Sequence, residues 1–151
     1  MAGNIERSFF VRWADVDFNG HMRNTAYLDV SGDARMLYFE AGGFSMREFE
    51  RLRLGPVIVR DEVEYFRELR LLEPFTVALL LAGASGDGSR FRLRNEFLRE
   101  DGQPAARLTS TGGWMDLGAR RWTTPPEALK DLVARLPRSD DFEVLATKKS
   151  R

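Results

Sequence analysis

Two periodicities alternate along the chain. Phe9, Val11 and Trp13 alternate with Ser8, Phe10 and Arg12, which predicts a first strand. Residues 57–66 mix β-branched and aromatic side chains with Arg60, Glu62 and Glu64, a second strand. Residues 75–82 are almost wholly apolar, as in a strand covered on both faces. In residues 90–98, Phe91, Leu93 and Phe97 take one face and Arg90, Arg92 and Arg94 the other. Residues 105–115 continue in period two with small side chains and Thr. Turn signals at 83–88 and 100–102 separate the last three strands, which makes them an antiparallel meander.

The helical period is confined to three places. Residues 24–41 carry apolar side chains around most of the circumference and stop at Gly42 and Gly43. So apolar a helix is expected to be buried. Gly32 inside it costs about 1 kcal/mol of propensity, for which a close backbone approach would account. Ser45 and Glu48 form a capping box that opens a short helix. Thr124 and Glu127 have the same spacing before Ala128, Leu129, Leu132, Val133 and Leu136, a terminal helix. The element order predicts an α+β fold in which a curled antiparallel sheet of roughly five strands wraps one long central helix. Residues 1–137 form one domain, and the polar segment 138–151 is expected to be a mobile or loosely packed tail.

Composition narrows the chemistry. The 151 residues contain no Cys and one His, so thiolate nucleophiles, Cys-held metals and multi-His sites are excluded. Lys and Arg number 23 and so do Asp and Glu, which gives no net-charge reason to bind nucleic acid. The longest apolar run falls far short of the ~20 residues that cross a bilayer. The first ten residues lack the layout of a secretion signal, and a cytoplasmic address is expected. No metal and no cofactor are expected.

What chemistry there is concentrates between the first strand and the long helix, in Asp15, Asp17, Asn19, His21, Asn24 and Tyr27. Three readings compete. A calcium loop would use Asp15, Asp17, Asn19 and Gly20, yet its twelfth position is Ala26 where a bidentate Glu is needed. A structural reading makes the acids and amides helix caps and turn formers. A hydrolytic reading makes Asp17 a nucleophile or a general base on water, and shelter beside Trp13 and Phe18 would favour the base. Asn19 and His21 would then orient substrate or water. The helix N-terminus would supply backbone N–H groups to an oxyanion.

The run Asp17, Asn19, His21, Asn24, Tyr27 resembles the helix-entry motif of hotdog-fold acyl thioesterases, above all its acyl-ACP form. Residues 59–69, the turn at Asp101 and Gly102, and residues 116–126 are similar to the 4-hydroxybenzoyl-CoA thioesterase-like branch. The resemblance spans residues 9–136. It implies a hotdog domain pairing as a homodimer or homotetramer, with active sites at the dimer interface. It implies a catalytic Asp17, an Asn24 N–H facing the thioester carbonyl, and polar partners in Asn19 and His21. The sequence departs from the bacterial acyl-CoA branch at Asn24, where many members carry His, and at His21, where they carry an apolar residue.

The expected reaction is therefore hydrolysis of an acyl thioester, with acyl-CoA favoured over acyl carrier protein. Tyr27, Val59, Arg60, Arg90 and Arg92 are the candidate substrate contacts. For the stripe Arg90, Arg92, Arg94 two roles compete, phosphate contacts and cross-strand ion pairs, the second being the commoner use of such a face. Two other functions fit the same fold. One is an enoyl-thioester hydratase, against which the absent Pro and the four-residue step from Asp17 to His21 argue. The other is a non-catalytic acyl-binding module.

Overall fold

The computed structural model describes residues 5–147. Its elements are β1 (Glu6–Phe10), a 3-10 turn (Trp13–Asp15), α1 (Ala26–Ala41), α2 (Met46–Leu52), β2 (Leu54–Tyr65), β3 (Pro74–Ser85), β4 (Arg90–Arg99), β5 (Pro104–Asp116), β6 (Arg121–Trp122), α3 (Glu127–Ala134) and β7 (Arg138–Leu145). One curled sheet runs in the order β1-β3-β4-β5-β2, with β6 added to β5 and β7 to β3. All pairings are antiparallel except β3 with β7. Residues 74–116 form the expected meander, because two short turns return each strand beside the one before it.

Alternation carries the core. Phe91, Leu93, Asn95 and Phe97 of β4 are buried, as are Leu108, Ser110 and Trp114 of β5. Trp114 gathers Phe39, Phe49 and Phe91 beneath α3, while Phe97 gathers Tyr27 and Phe75 at the start of α1. Arg35 of α1 enters between these two groups. It donates to Asn95 Oδ1 at 2.9 Å and Ser110 Oγ at 2.8 Å, and the Ser110 hydroxyl donates to Asp61 of β2. Burial lowers the Arg35 guanidinium to about 10, which leaves it charged at neutral pH.

The structure differs from the sequence reading in five places. The first strand ends at Phe10, and Trp13 turns outward, 78% exposed, because the chain coils to place Asp15 inside. Helix α1 has 16 residues and buries one side only; Leu28 and Leu37 are 40% and 46% exposed. A sheet covers one side of a helix laid on it, so apolar content alone did not report how much would be buried. Gly32 faces open space, so no close approach explains it. Thr124 caps nothing: Pro125 and Pro126 keep the chain extended and α3 starts after Pro126. The segment read as a loose tail forms β7, whose residues 143–145 pair with β3 beside the bulge at Gly83. There Arg94 holds Asp141 in a bidentate pair at 2.7 and 3.1 Å. Polar composition hid this strand because it lies on an edge and packs by charge. The Ser45 cap forms as expected, its Oγ accepting from Glu48 N at 3.2 Å.

Candidate functional site

The segment between β1 and α1 is tied to itself and to the loop after β2. Asp15 is buried and ion-paired with Arg12 at 2.9 Å, with Arg23 at 3.7 Å beyond it. It is an anchor, and no calcium loop forms around it. Beyond Asp15 the chain doubles back. Asp17 N donates to His21 O at 2.7 Å, and Gly20, at φ 76°, closes the turn by donating to Asp17 O at 3.1 Å. The Asp17 carboxylate completes the turn through one oxygen: Oδ1 accepts from Asn19 N at 2.8 Å and from His21 N at 3.1 Å. Oδ2 has no partner among the described residues. The shelter expected from Trp13 and Phe18 is absent, since both rings and Asp17 itself are exposed.

His21 lies against the loop after β2. Its Nε2 is 3.1 Å from Glu68 Oε2, and its backbone bridges Arg70. Leu69, fully buried, plugs that loop into the core and accepts from Met22 N at 2.7 Å. At the helix entrance, Asn24 Oδ1 accepts from Thr25 N at 3.0 Å, and Asn24 O accepts from the Tyr65 hydroxyl at 3.2 Å. The Asn24 backbone N–H has no acceptor among the described residues. It stands at the positive end of α1.

These pieces enclose a cleft of about 410 Å³ lined by Asp17, His21, Met22, Arg23, Asn24 and Tyr27 from one side and Tyr65, Phe66, Arg67 and Glu68 from the other. Tyr27 packs edge-on against Tyr65 and Phe97, with ring centroids 5.3 and 5.0 Å apart. Burial, with smaller contributions from Tyr65, Glu73 and Glu68, pushes the Tyr27 phenol up to about 12, so it keeps its proton at neutral pH. Among the described residues no group of three His, Asp or Glu side chains is placed to hold a metal.

Of the residues singled out in the sequence, Asp17, His21, Asn24 and Tyr27 meet in this cleft. Asn19 does not line it; its backbone N–H shapes the Asp17 turn instead. Val59 and Arg60 lie midway along the exposed edge strand β2, where the ladder to β5 slips between Ile58 and Arg60, and Arg60 lies 3.6 Å from Glu62. Arg90 and Arg92 lie outside the cleft: Arg92 bonds Thr111 at 3.2 Å and Glu143 at 3.4 Å, and Arg90 reaches Ala146 O at 3.4 Å. Tyr65, Phe66 and Glu68 were missed as cleft residues. Period two placed Tyr65 and Phe66 in a strand, but only the tertiary path of β2 and the loop after it shows that they line the cleft.

A carboxylate with one free oxygen, an unpartnered helix-entry N–H and an aromatic-walled cleft are the parts that acyl transfer to water requires. Residues 11–133 match the thioesterase-like superfamily. The chain belongs to that superfamily.

Solved structures agree. The thioesterase-like chain superposes on the hypothetical protein SAV2348 from Staphylococcus aureus, solved in complex with CoA, with a TM-score of 0.79 and 25% identity over 86% of this chain and 81% of that one. It also superposes on Slr0204, a 1,4-dihydroxy-2-naphthoyl-CoA thioesterase from Synechocystis, with a TM-score of 0.78 and 19% identity over 87% and 96%. For the probable thioesterase YbaW from Escherichia coli the TM-score is 0.75, with 20% identity over 89% and 100%. No curated protein matches the thioesterase-like chain in sequence. Its curled antiparallel sheet and three helices are consistent with the hotdog arrangement.

Proposed function

We propose that this protein hydrolyses an acyl-CoA thioester to the free acid and CoA, with Asp17 and the Asn24 N–H as the working pair. The observation that carries the reading is their placement on one cleft, each with an unused hydrogen-bonding group: Asp17 Oδ2 and the backbone N–H at the head of α1. The thioester carbonyl lies at the helix entrance, where the N–H stabilises the oxygen as it gains charge. Asp17 either attacks the carbonyl carbon through Oδ2 or takes a proton from a water that attacks it. In the first route the C–S bond breaks, the sulfur leaves as thiolate and is protonated from solvent, and water then opens the acyl–Asp17 anhydride to give the acid and restore the carboxylate. In the second the proton that Asp17 takes from the water passes to the departing sulfur. The Tyr27, Tyr65 and Phe66 rings form the wall against which an acyl group packs. The names of two similar structures, one a CoA complex and one a CoA thioesterase, support CoA as the carrier.

The working unit in this reading is a homodimer. Strand β2 is an unpaired edge of 12 residues with Ile58, Val59 and Tyr65 exposed. A second copy adding its own β2 antiparallel would cover this edge and set its Val59 and Arg60 against the first copy's β2.

The test is a panel of acyl-CoAs of varied chain length and aromaticity, assayed with the wild type and Asp17→Ala. Cleavage that depends on Asp17 supports the reading. An Asp17→Ala protein with undiminished activity, or a wild type that cleaves no thioester, ends it. Single turnover in 18O water followed by mass measurement tests the first role: label in the Asp17 carboxylate shows that it attacked.

A further inference from the structure

The stripe Arg90, Arg92, Arg94, which the sequence offered for phosphate, is occupied by Thr109, Thr111, Asp141, Glu143 and the Ala146 carbonyl. A different set of arginines is not. Beside the cleft, and sharing Phe66, Arg67 and Glu68 with it, lies a second recess of about 430 Å³ that adds Arg70 and Arg99. The guanidinium groups of Arg67 and Arg70 have no acid or acceptor partner among the described residues. Both are exposed. The acids nearby are already engaged. Glu68 pairs with His21 at 3.1 Å, and Glu73 pairs with Arg99 at 3.2 Å while accepting from Arg70 N at 3.0 Å.

The backbone that carries these arginines is fixed before any ligand arrives. Phe66 N and Arg67 N both donate to Ala105 O, at 2.8 and 3.0 Å. Leu69 is fully buried, and Glu73 N closes the turn on Arg70 O at 2.9 Å. A pinned loop loses little order on binding, so free cations on it are suited to holding an anion.

We propose that Arg67 and Arg70, with Arg99 behind them, bind the phosphate groups of CoA at the mouth of the Asp17 cleft. The proposal rests on the thioester reading and names its carrier. The recess opens beside the cleft, so a ligand whose thioester lies at Asp17 runs its phosphate-bearing end over the loop 66–70 on the way out. Several cations in one recess suit a ligand with several phosphates better than the single phosphate of a carrier protein's arm.

The experiment is calorimetric titration of the full chain with CoA, 4′-phosphopantetheine, pantetheine and inorganic phosphate, for wild type, Arg67→Gln with Arg70→Gln, and Arg90→Gln. Wild type is expected to bind CoA at least about 100-fold more tightly than pantetheine, about tenfold per arginine, and the double variant to lose that preference. Arg90→Gln is expected to match wild type. Phosphopantetheine or inorganic phosphate bound as tightly as CoA would overturn the assignment to CoA. A double variant that keeps its CoA affinity, or a loss confined to Arg90→Gln, would overturn the site. Hydrolysis is scored separately. A wild type that binds CoA through these arginines but cleaves no thioester keeps this site and overturns the hydrolytic reading. Cleavage with CoA affinity untouched in the double variant does the reverse.

Discussion

Asp17 has two jobs that a pair of substitutions separates. Its Oδ1 holds the turn by accepting from Asn19 N and His21 N, while Oδ2 is unused by the fold. Asn at this position keeps an oxygen that accepts both bonds and loses only the charge. Asp17→Asn should therefore leave stability within about 0.5 kcal/mol of wild type, as for a surface change that breaks no contact. Asp17→Ala removes the one oxygen that accepts both bonds. In water-exposed surroundings that costs about 0.5–1.5 kcal/mol in all, since the freed N–H groups can turn to solvent. Catalysis should follow the opposite logic. A carboxylate acting as base contributes about 10²–10⁴-fold, and the amide supplies none of it, so both variants should lose kcat by at least that much. Urea melts give the first quantity and steady-state hydrolysis of the best acyl-CoA gives the second. Asp17→Asn with wild-type kcat, or a loss only in Asp17→Ala, would show that the turn matters and the charge does not, and the chemical role would have to move elsewhere.

Three further outcomes test the fold beneath the site. Phe97→Ala removes a fully buried ring that packs on both Tyr27 and Phe75; a loss of about 3–5 kcal/mol is expected in denaturant melts, and a loss under 1 would contradict the packing described. Gly112→Ala drives a Cβ into the Val57 carbonyl oxygen, where backbone must move, so β2 should loosen from β5 and the thermal midpoint fall; an unchanged midpoint would refute that close approach. The Arg94 guanidinium, with the Ser139 hydroxyl, holds the Asp141 carboxyl below its usual range, so its stabilisation is present above the unfolded pKa of about 3.9 and fades as pH falls below it. Because Asp141 is 66% exposed, Asp141→Asn should cost no more than about 1 kcal/mol at pH 7, and the gap to wild type should close on acidification; a gap that widens in acid would reverse the sign argument.

The sequence by itself determined the α+β class, the three helices and the strands of the central meander, but not β6 or β7. Side-chain alternation is local, so the faces of β4 were legible residue by residue, with Phe91, Leu93 and Phe97 inward. The Ser45 cap and the glycine stop of α1 were legible for the same reason: each involves atoms a few residues apart. The cluster around Asp17, His21, Asn24 and Tyr27 was legible because these residues lie within one loop and one helical turn.

Tertiary structure decided everything that joins distant segments. Whether an arginine is spent or free depends on what the sheet brings beside it. Only the pairing of β7 with β3 engages Arg92 and Arg94 with acids some fifty residues away, and only the path of the loop after β2 leaves Arg67 and Arg70 unpartnered near His21. The aromatic wall of the cleft has the same origin. Tyr65 meets Asn24 and Tyr27 because β2 returns along the sheet to the entrance of α1. Such contacts are fixed by register and curvature, which are properties of the whole sheet, and no local pattern of residues encodes them.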